Sequence, residues 1–219
     1  FFTVNNAKRI SLCISTIHSW KKNVLINRRE FAFLMSSLIE SLDRVANTAG
    51  TYYAYLKQFN RKSLKQFRFK FLNIIKGNSR CKSYLTNAHN LIKKKSYDVI
   101  YLDPPYNERC YSAYYHLPES IATGYFHQPK GKAGLNTVSI KKSDFNIKQK
   151  AFTSFQKLIK QAKFKLLVFH YTDDGLICKK DIRKLLRSIG KLEEKLLTTK
   201  GYSTSKQTNV KNRLYIVTK

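Results

Sequence analysis

No acidic residue occurs between Asp43 and Asp98, while Lys and Arg recur throughout that stretch, from Arg44 to Lys95. A face that is merely solvated mixes the two signs, so the exclusion of one of them points to a polyanionic partner. Cysteine is sparse: Cys13, Cys81, Cys110 and Cys178 form no Cys-x-x-Cys pair and have no His at zinc-ligand spacing. That argues against a structural metal site and a disulfide framework. The four read as reduced cytosolic thiols, and no metal is expected. No apolar run reaches membrane-spanning length, so a soluble, cytoplasmic protein is the expectation. Phe1 is not a translation start, and an upstream portion is expected to have been lost by processing or truncation.

What is present is charge of one sign. The 42 Lys and Arg face 13 Asp and Glu, a formal charge of +29, within 219 residues. Such an excess opposes compaction unless a polyanion offsets it, and a length in this range suits one compact α/β unit. Codon bias in an AT-rich genome also raises Lys and Asn, so the distribution of charge carries more weight than its sum.

The patterning divides the chain into three parts. Over residues 1–50, Ile10, Ile14 and Ile17 recur at helical spacing, and Phe31, Leu34, Met35, Leu38, Leu42, Val45 and Ala46 form a second apolar stripe with Gly50 as its stop. These predict a helical hairpin. Residues 51–82 interleave Tyr52, Tyr53, Tyr55, Phe59, Phe67, Phe69 and Phe71 with Lys and Arg, a mixture suited to phosphate contact and base stacking. Phe67, Phe69 and Phe71 alternate as a half-buried strand would, and Arg61, Lys62, Lys65 and Arg68 are the candidate phosphate contacts. Residues 83–219 read as α/β: strands at 83–86, 98–102 and 165–169, a helix capped by Asn146, a second helix stopped by Gly190, and a closing antiparallel pair at 191–198 and 213–217. His18 and His127 read as structural.

The strand at 98–102 ends on Asp103-Pro104-Pro105-Tyr106. A strand that stops in a turn with a capping Asp would use the same residues. The alternative is chemical. In an open α/β sheet, ligands bind at the carboxyl ends of strands. An exocyclic ring amine is a poor nucleophile because its lone pair is delocalised. A carboxylate beside a backbone carbonyl can accept both amino hydrogens and stabilise the positive charge that develops on attack. Pro105 has no N–H and restricts its predecessor, which holds the Pro104 carbonyl out of the ladder. Tyr106 offers a flat face.

Beyond the turn the match runs on through Asn107-Glu108-Arg109-Cys110-Tyr111 and Tyr114-Tyr115-His116-Leu117-Pro118. With that run the chain resembles the alpha-group adenine DNA methyltransferases. The segments Leu38 to Tyr52, Gly131 to Leu135 and Phe169 to Ile177 resemble further blocks of the type II restriction-modification branch. The resemblance implies a partial Rossmann-like sheet ending in an antiparallel hairpin, with a helical and basic/aromatic DNA-recognition insertion. It also implies S-adenosylmethionine as methyl donor, duplex DNA as partner, a flipped-out adenine, and a cognate restriction endonuclease in the same system. By carry-over Asp103 and Pro104 hold the amine, Pro105 shapes the turn and Tyr106 stacks on the base. Asn87 and Asp103 meet the cofactor, and Asn107, Arg109 and Tyr111 join the DNA contacts.

Three departures accompany the resemblance. Asn87 stands where the family usually has an acid, and its amide oxygen can accept a hydrogen bond only without charge. His170 stands where many members carry Ser. None of the eight glycines forms the family's Gly-x-Gly cofactor turn, which fits a missing upstream portion, a degenerate gene product or one half of a split enzyme. Methylation of amino groups in structured RNA, and a non-catalytic nucleic-acid binding remnant, are the alternative functions.

Overall fold

A computed structural model describes the chain except for residues 78–80, 127, 132–133, 136–141 and 201–208. His127 and part of the Gly131 to Leu135 block therefore lie outside the described residues. In chain order the elements are α1 (Val4–Lys22), α2 (Arg28–Asp43), α3 (Ala88–Ile92), β1 (Ser96–Leu102), α4 (Tyr111–Tyr114), α5 (His116–Thr123), a 3-10 turn (Asp144–Asn146), α6 (Lys148–Gln161), β2 (Lys163–Thr172), α7 (Lys179–Arg187), β3 (Lys191–Lys200) and β4 (Asn209–Thr218). They fall into two units. One comprises Phe1–Arg80 with Tyr111–Ile140, the other Cys81–Cys110 with Lys141–Lys219.

In the first unit the expected helical hairpin forms. The Thr3 side chain accepts from the Asn6 N–H at the start of α1, and Asn27 with Glu30 makes a reciprocal capping box at the start of α2, which satisfies donors that a helix start leaves open. Ile10 and Ile17 of α1 pack with Met35, Leu38 and Leu42 of α2 and with Ile121 of α5. Helix α2 stops at Asp43 and not at Gly50. Val45 and Ala46 stay buried after the chain has left the helix, because Asn47 organises the following loop, donating to the Leu56 carbonyl (2.9 Å) and accepting from the Asn60 N–H (3.1 Å). Burial of an apolar stripe does not require that all of it be helical.

The strand expected around Phe67 is likewise absent. Phe67 is buried, but its N–H is accepted by the Asn6 side chain (2.9 Å), and the N–H groups of Lys70 and Leu72 by the Ser41 and Ser37 hydroxyls (2.9 and 3.1 Å). Side chains on the two helices thus replace the strand partner that buried backbone groups otherwise need. The basic segment is pinned by its backbone, and the side chains of Arg61, Lys65, Arg68 and Lys70 are left exposed.

The second unit is built on one mixed sheet of order β1-β2-β4-β3, with β1 parallel to β2, and β4 antiparallel to both β2 and β3. Leu167, Phe169 and Tyr171 of β2, with Tyr215 and Val217 of β4, bury one face against Phe155 and Leu158 of α6 and Ile182 and Leu186 of α7. The Phe155 and Phe169 rings stack with centroids 4.2 Å apart. The strands expected at 98–102 and 165–169, and the closing pair, are all present with longer ends. The one expected at 83–86 is not: Tyr84 and Leu85 are exposed and irregular, and they do not pair with the free edge that β1 presents in the described sheet. Asn146 does not cap α6. Ile147 occupies the cap position without a side-chain bond, and the Asn146 amide is engaged elsewhere.

Candidate active site

The parallel register decides what meets Asp103. Tyr101 lies opposite Val168 and Leu102 opposite Phe169, so one further residue brings Asp103 level with His170, on the same side of the sheet as Tyr101. There the His170 Nδ1 is 3.2 Å from the Asp103 Oδ1. The ladder ends at this point, as the Pro-Pro pair requires. Asp103 keeps 53% of its side-chain surface exposed and His170 27%, so the carboxylate is reachable while its partner is mostly enclosed.

Behind the turn, three contacts hold the loop. The Tyr106 carbonyl accepts from the Leu176 N–H at 3.0 Å. The Asn146 amide nitrogen donates to the carbonyls of both Asn107 and Arg109, each at 2.9 Å, while its oxygen accepts from the Ser143 N–H. The turn carrying Leu176 is locked in its own right, since the Ile177 N–H donates to the Tyr171 hydroxyl, and a Cβ on Gly175 would lie 2.3 Å from the Tyr171 ring. Only glycine permits that approach. Burial pushes the Tyr171 phenol up from its ordinary value, which keeps it a neutral hydroxyl.

The same turn starts with an enclosed ion-pair network. Asp173 accepts two hydrogen bonds from Arg213, at 2.8 and 3.3 Å, and a second cation, the Lys179 ammonium, lies 3.0 Å away. Burial by itself raises the Asp173 carboxyl, but the hydrogen bonds from Arg213 and Lys179 outweigh it and hold the group below the usual carboxylate range. Glu194 is held low chiefly by its paired hydrogen bonds from Arg183.

Asn87, Asp103, Pro104 and Pro105 line one cavity of about 510 Å³, whose other walls include Asp144 and Phe155. Asn87 is the cap of α3, and its oxygen already accepts from the His89 N–H at 2.9 Å. Tyr106 is half-buried against the apolar cluster of the sheet. Asn107 uses its side-chain oxygen to accept from the Arg109 N–H at 3.0 Å, and the Arg109 side chain is exposed. Tyr111, Arg61, Lys62, Lys65 and Arg68 belong to the first unit. Lys62 lies 3.7 Å from Asp43, so part of its charge is answered locally. Among the described residues no cluster of three or more His, Cys, Asp or Glu could hold a metal, and no helix is long and apolar enough to cross a membrane.

His170 and Asn146 belong to this site in ways the sequence did not show. His170 carried a usable signal, its place directly after the strand expected at 165–169 and within the Phe169 to Ile177 block, but only the register reveals its partner. Asn146 carried a misleading one, because an Asn before an apolar-periodic run reads as a cap.

The family model for the D12 class N6 adenine-specific DNA methyltransferases matches residues 6–211. The chain belongs to that family. Among its curated relatives, the type II methyltransferase M.FokI of Planomicrobium okeanokoites is 37% identical over 190 residues, 87% of this chain and 29% of that protein. The type II methyltransferase M.NlaIII of Neisseria lactamica is 34% identical over 213 residues, 97% of this chain and 62% of its own length. The modification methylase StsI of Streptococcus sanguinis is 33% identical over 187 residues, 85% of this chain and 29% of that protein. The chain thus spans under two thirds of the length of these relatives. No solved structure matches it. The four-stranded mixed α/β sheet is consistent with a methyltransferase fold.

Proposed function

We propose that this protein transfers a methyl group from S-adenosylmethionine to the N6 amino group of adenine in duplex DNA, by direct displacement on a flipped-out base. The observation that carries the reading is the placement of Asp103 and Pro104 together, at the carboxyl end of β1, on the wall of one cavity. Membership of the D12 class supports the choice of adenine N6. In this reading the Asp103 carboxylate accepts one amino hydrogen and the Pro104 carbonyl the other. Both interactions strengthen as positive charge grows on the nitrogen, which is what lowers the barrier. Pro105 keeps that carbonyl out of the sheet ladder, and Tyr106 stacks on the extruded base.

The cavity fits the cofactor. Its volume, about 510 Å³, lies within the range of small-molecule sites, and its walls mix apolar surface with a few polar groups. Asn87 and Asp103 would hold the cofactor there, with Asn87 offering its amide where the family usually offers an acid. When bound, S-adenosylmethionine supplies an electrophilic methyl on a sulfonium.

For DNA, residues 51–82 serve as the target-recognition segment between a helical hairpin (1–50) and the catalytic part (83–219), a partial Rossmann-like sheet. Arg61, Lys62, Lys65 and Arg68 neutralise phosphates, and Asn107, Arg109 and Tyr111 contribute further DNA contacts. The acid-free stretch and its exposed cations support that assignment. A type II relationship suggests a cytoplasmic role beside a cognate restriction endonuclease. The test is product analysis after incubating the intact protein with methyl-labelled S-adenosylmethionine and either duplex DNA or structured RNA. N6-methyladenine in the DNA is the expected product. Label in RNA alone, or none with cofactor bound, contradicts the proposal.

A further inference from the structure

We infer that His170 is a positioning residue for Asp103: its Nδ1–H holds one carboxylate oxygen so that the other is presented to the substrate amine. The inference rests on the proposed role of Asp103. Its basis is the contrast between the two partners. Asp103 stands beyond the last paired residue of β1, more than half exposed, and an isolated carboxylate there would rotate among several orientations. His170 sits inside β2, opposite Leu214 of β4, with Tyr101 of β1 on its other flank at 6.5 Å between ring centroids. Its backbone is therefore fixed by its place within the sheet.

An ionised carboxylate only accepts hydrogen bonds, so at 3.2 Å the imidazole must place its proton on Nδ1. That assignment follows from the partner and fixes the tautomer, in the way a carboxylate commonly orients a functional imidazole. The Oδ1 atom of Asp103 is then occupied, and Oδ2 is the atom left to accept an amino hydrogen. Because the contact is in the resting protein, it sets the carboxylate before substrate arrives, and no reorganisation is required as charge develops. No proton need move along the pair.

The experiment has two arms. In the wild-type chain, long-range 1H–15N correlation spectra recorded across a pH series read the tautomer of His170 directly. The expected result is the Nδ1–H form, shifting toward the Nε2–H form in Asp103→Ala, which removes the acceptor. An Nε2–H tautomer in the wild type, or an Nδ1–H form unchanged in Asp103→Ala, overturns the inference whether or not any His170 variant folds. In the second arm, single-turnover methyl transfer by the intact protein is compared for His170→Phe, which keeps a ring without a donor, and His170→Asn, which returns a donor near the Nδ1 position. His170→Phe should lose on the order of 10-fold to 100-fold in turnover with DNA affinity unchanged, and His170→Asn should recover much of the loss. Asp103→Ala separates the two levels. If Asp103→Ala is fully active, the reading of the site fails; if Asp103→Ala is inactive while His170→Phe turns over like wild type, the positioning role alone fails.

Discussion

Replacing Asn146 with Ala tests whether the loop after the Asp-Pro-Pro-Tyr turn is held as described. Asn146 is 3% exposed, donates to two carbonyls at 2.9 Å and accepts from the Ser143 N–H at 3.2 Å. Each such hydrogen bond contributes about 0.5–1.5 kcal/mol net, and leaving a buried partner unsatisfied costs about 1–3 kcal/mol. The loop borders exposed residues, so water recovers part of the loss, and the expected destabilisation is about 2–3 kcal/mol. The single tryptophan, Trp20, lies in α1 of the other unit, and its fluorescence would report the wrong region. Native-state hydrogen exchange at core amides of β2, such as Leu167, reads the stability of the right one. The amides of Arg109 and Cys110 should lose protection first. Asn146→Asp should be no better than Ala, because it turns a carboxylate toward two carbonyl oxygens. A change below about 0.5 kcal/mol for Ala, or a well-tolerated Asp, would refute the clamp.

Two further outcomes follow from the first unit. Burial lowers the His116 imidazole below its ordinary 6.5, against the opposing hydrogen bond to the Tyr52 carbonyl at 2.9 Å. The unfolded chain therefore takes up the proton first. The stability from this group is complete above the unfolded value and is lost as pH falls from there through the folded value, with a slope of at most about 1.4 kcal/mol per pH unit. Chemical denaturation between pH 7.5 and 5.5, followed by Trp20 fluorescence, should show this fall in the wild type and a flatter profile in His116→Gln; equal profiles would deny it. Replacing Arg61, Lys62 and Lys65 together with Ala should reduce the slope of log DNA affinity against log salt by roughly 0.9 for each phosphate no longer neutralised. Lys62 should contribute least, given its proximity to Asp43, and an unchanged slope would place the DNA surface elsewhere.

The legible parts of the chain were those where one periodicity satisfied one requirement. The stripes of α1, α6 and α7, the strands β1 and β2, and the Pro-Pro stop after Leu102 all had a local cause, although 98–102 reads as a buried strand and Val99 and Tyr101 lie exposed at the sheet edge. The segments misread from sequence had their partners at a distance. Phe67 looks like a strand residue, but its N–H is satisfied by Asn6, on a helix some sixty residues earlier. Residues 83–86 have strand composition, yet Tyr84 and Leu85 lie exposed and outside the sheet. Asn146 has the chemistry of a cap and spends it on the loop at 107–109. In the site, Asp103, the prolines and Tyr106 could be named from sequence because their spacing is contiguous. His170 gained a role only when the parallel register set it beside Asp103, and Leu176 only through the hydrogen bond from its N–H to the Tyr106 carbonyl.

In the proposed reaction Asp103 accepts a hydrogen from the amine being methylated. Single-turnover methyl transfer is measured for the intact protein carrying Asp103→Ala, with duplex affinity determined in the same preparation. The rate should fall on the order of 10² or more with DNA affinity largely retained, because the lost interaction strengthens only as charge develops. Methyl transfer at near the wild-type rate would remove Asp103 from the chemistry.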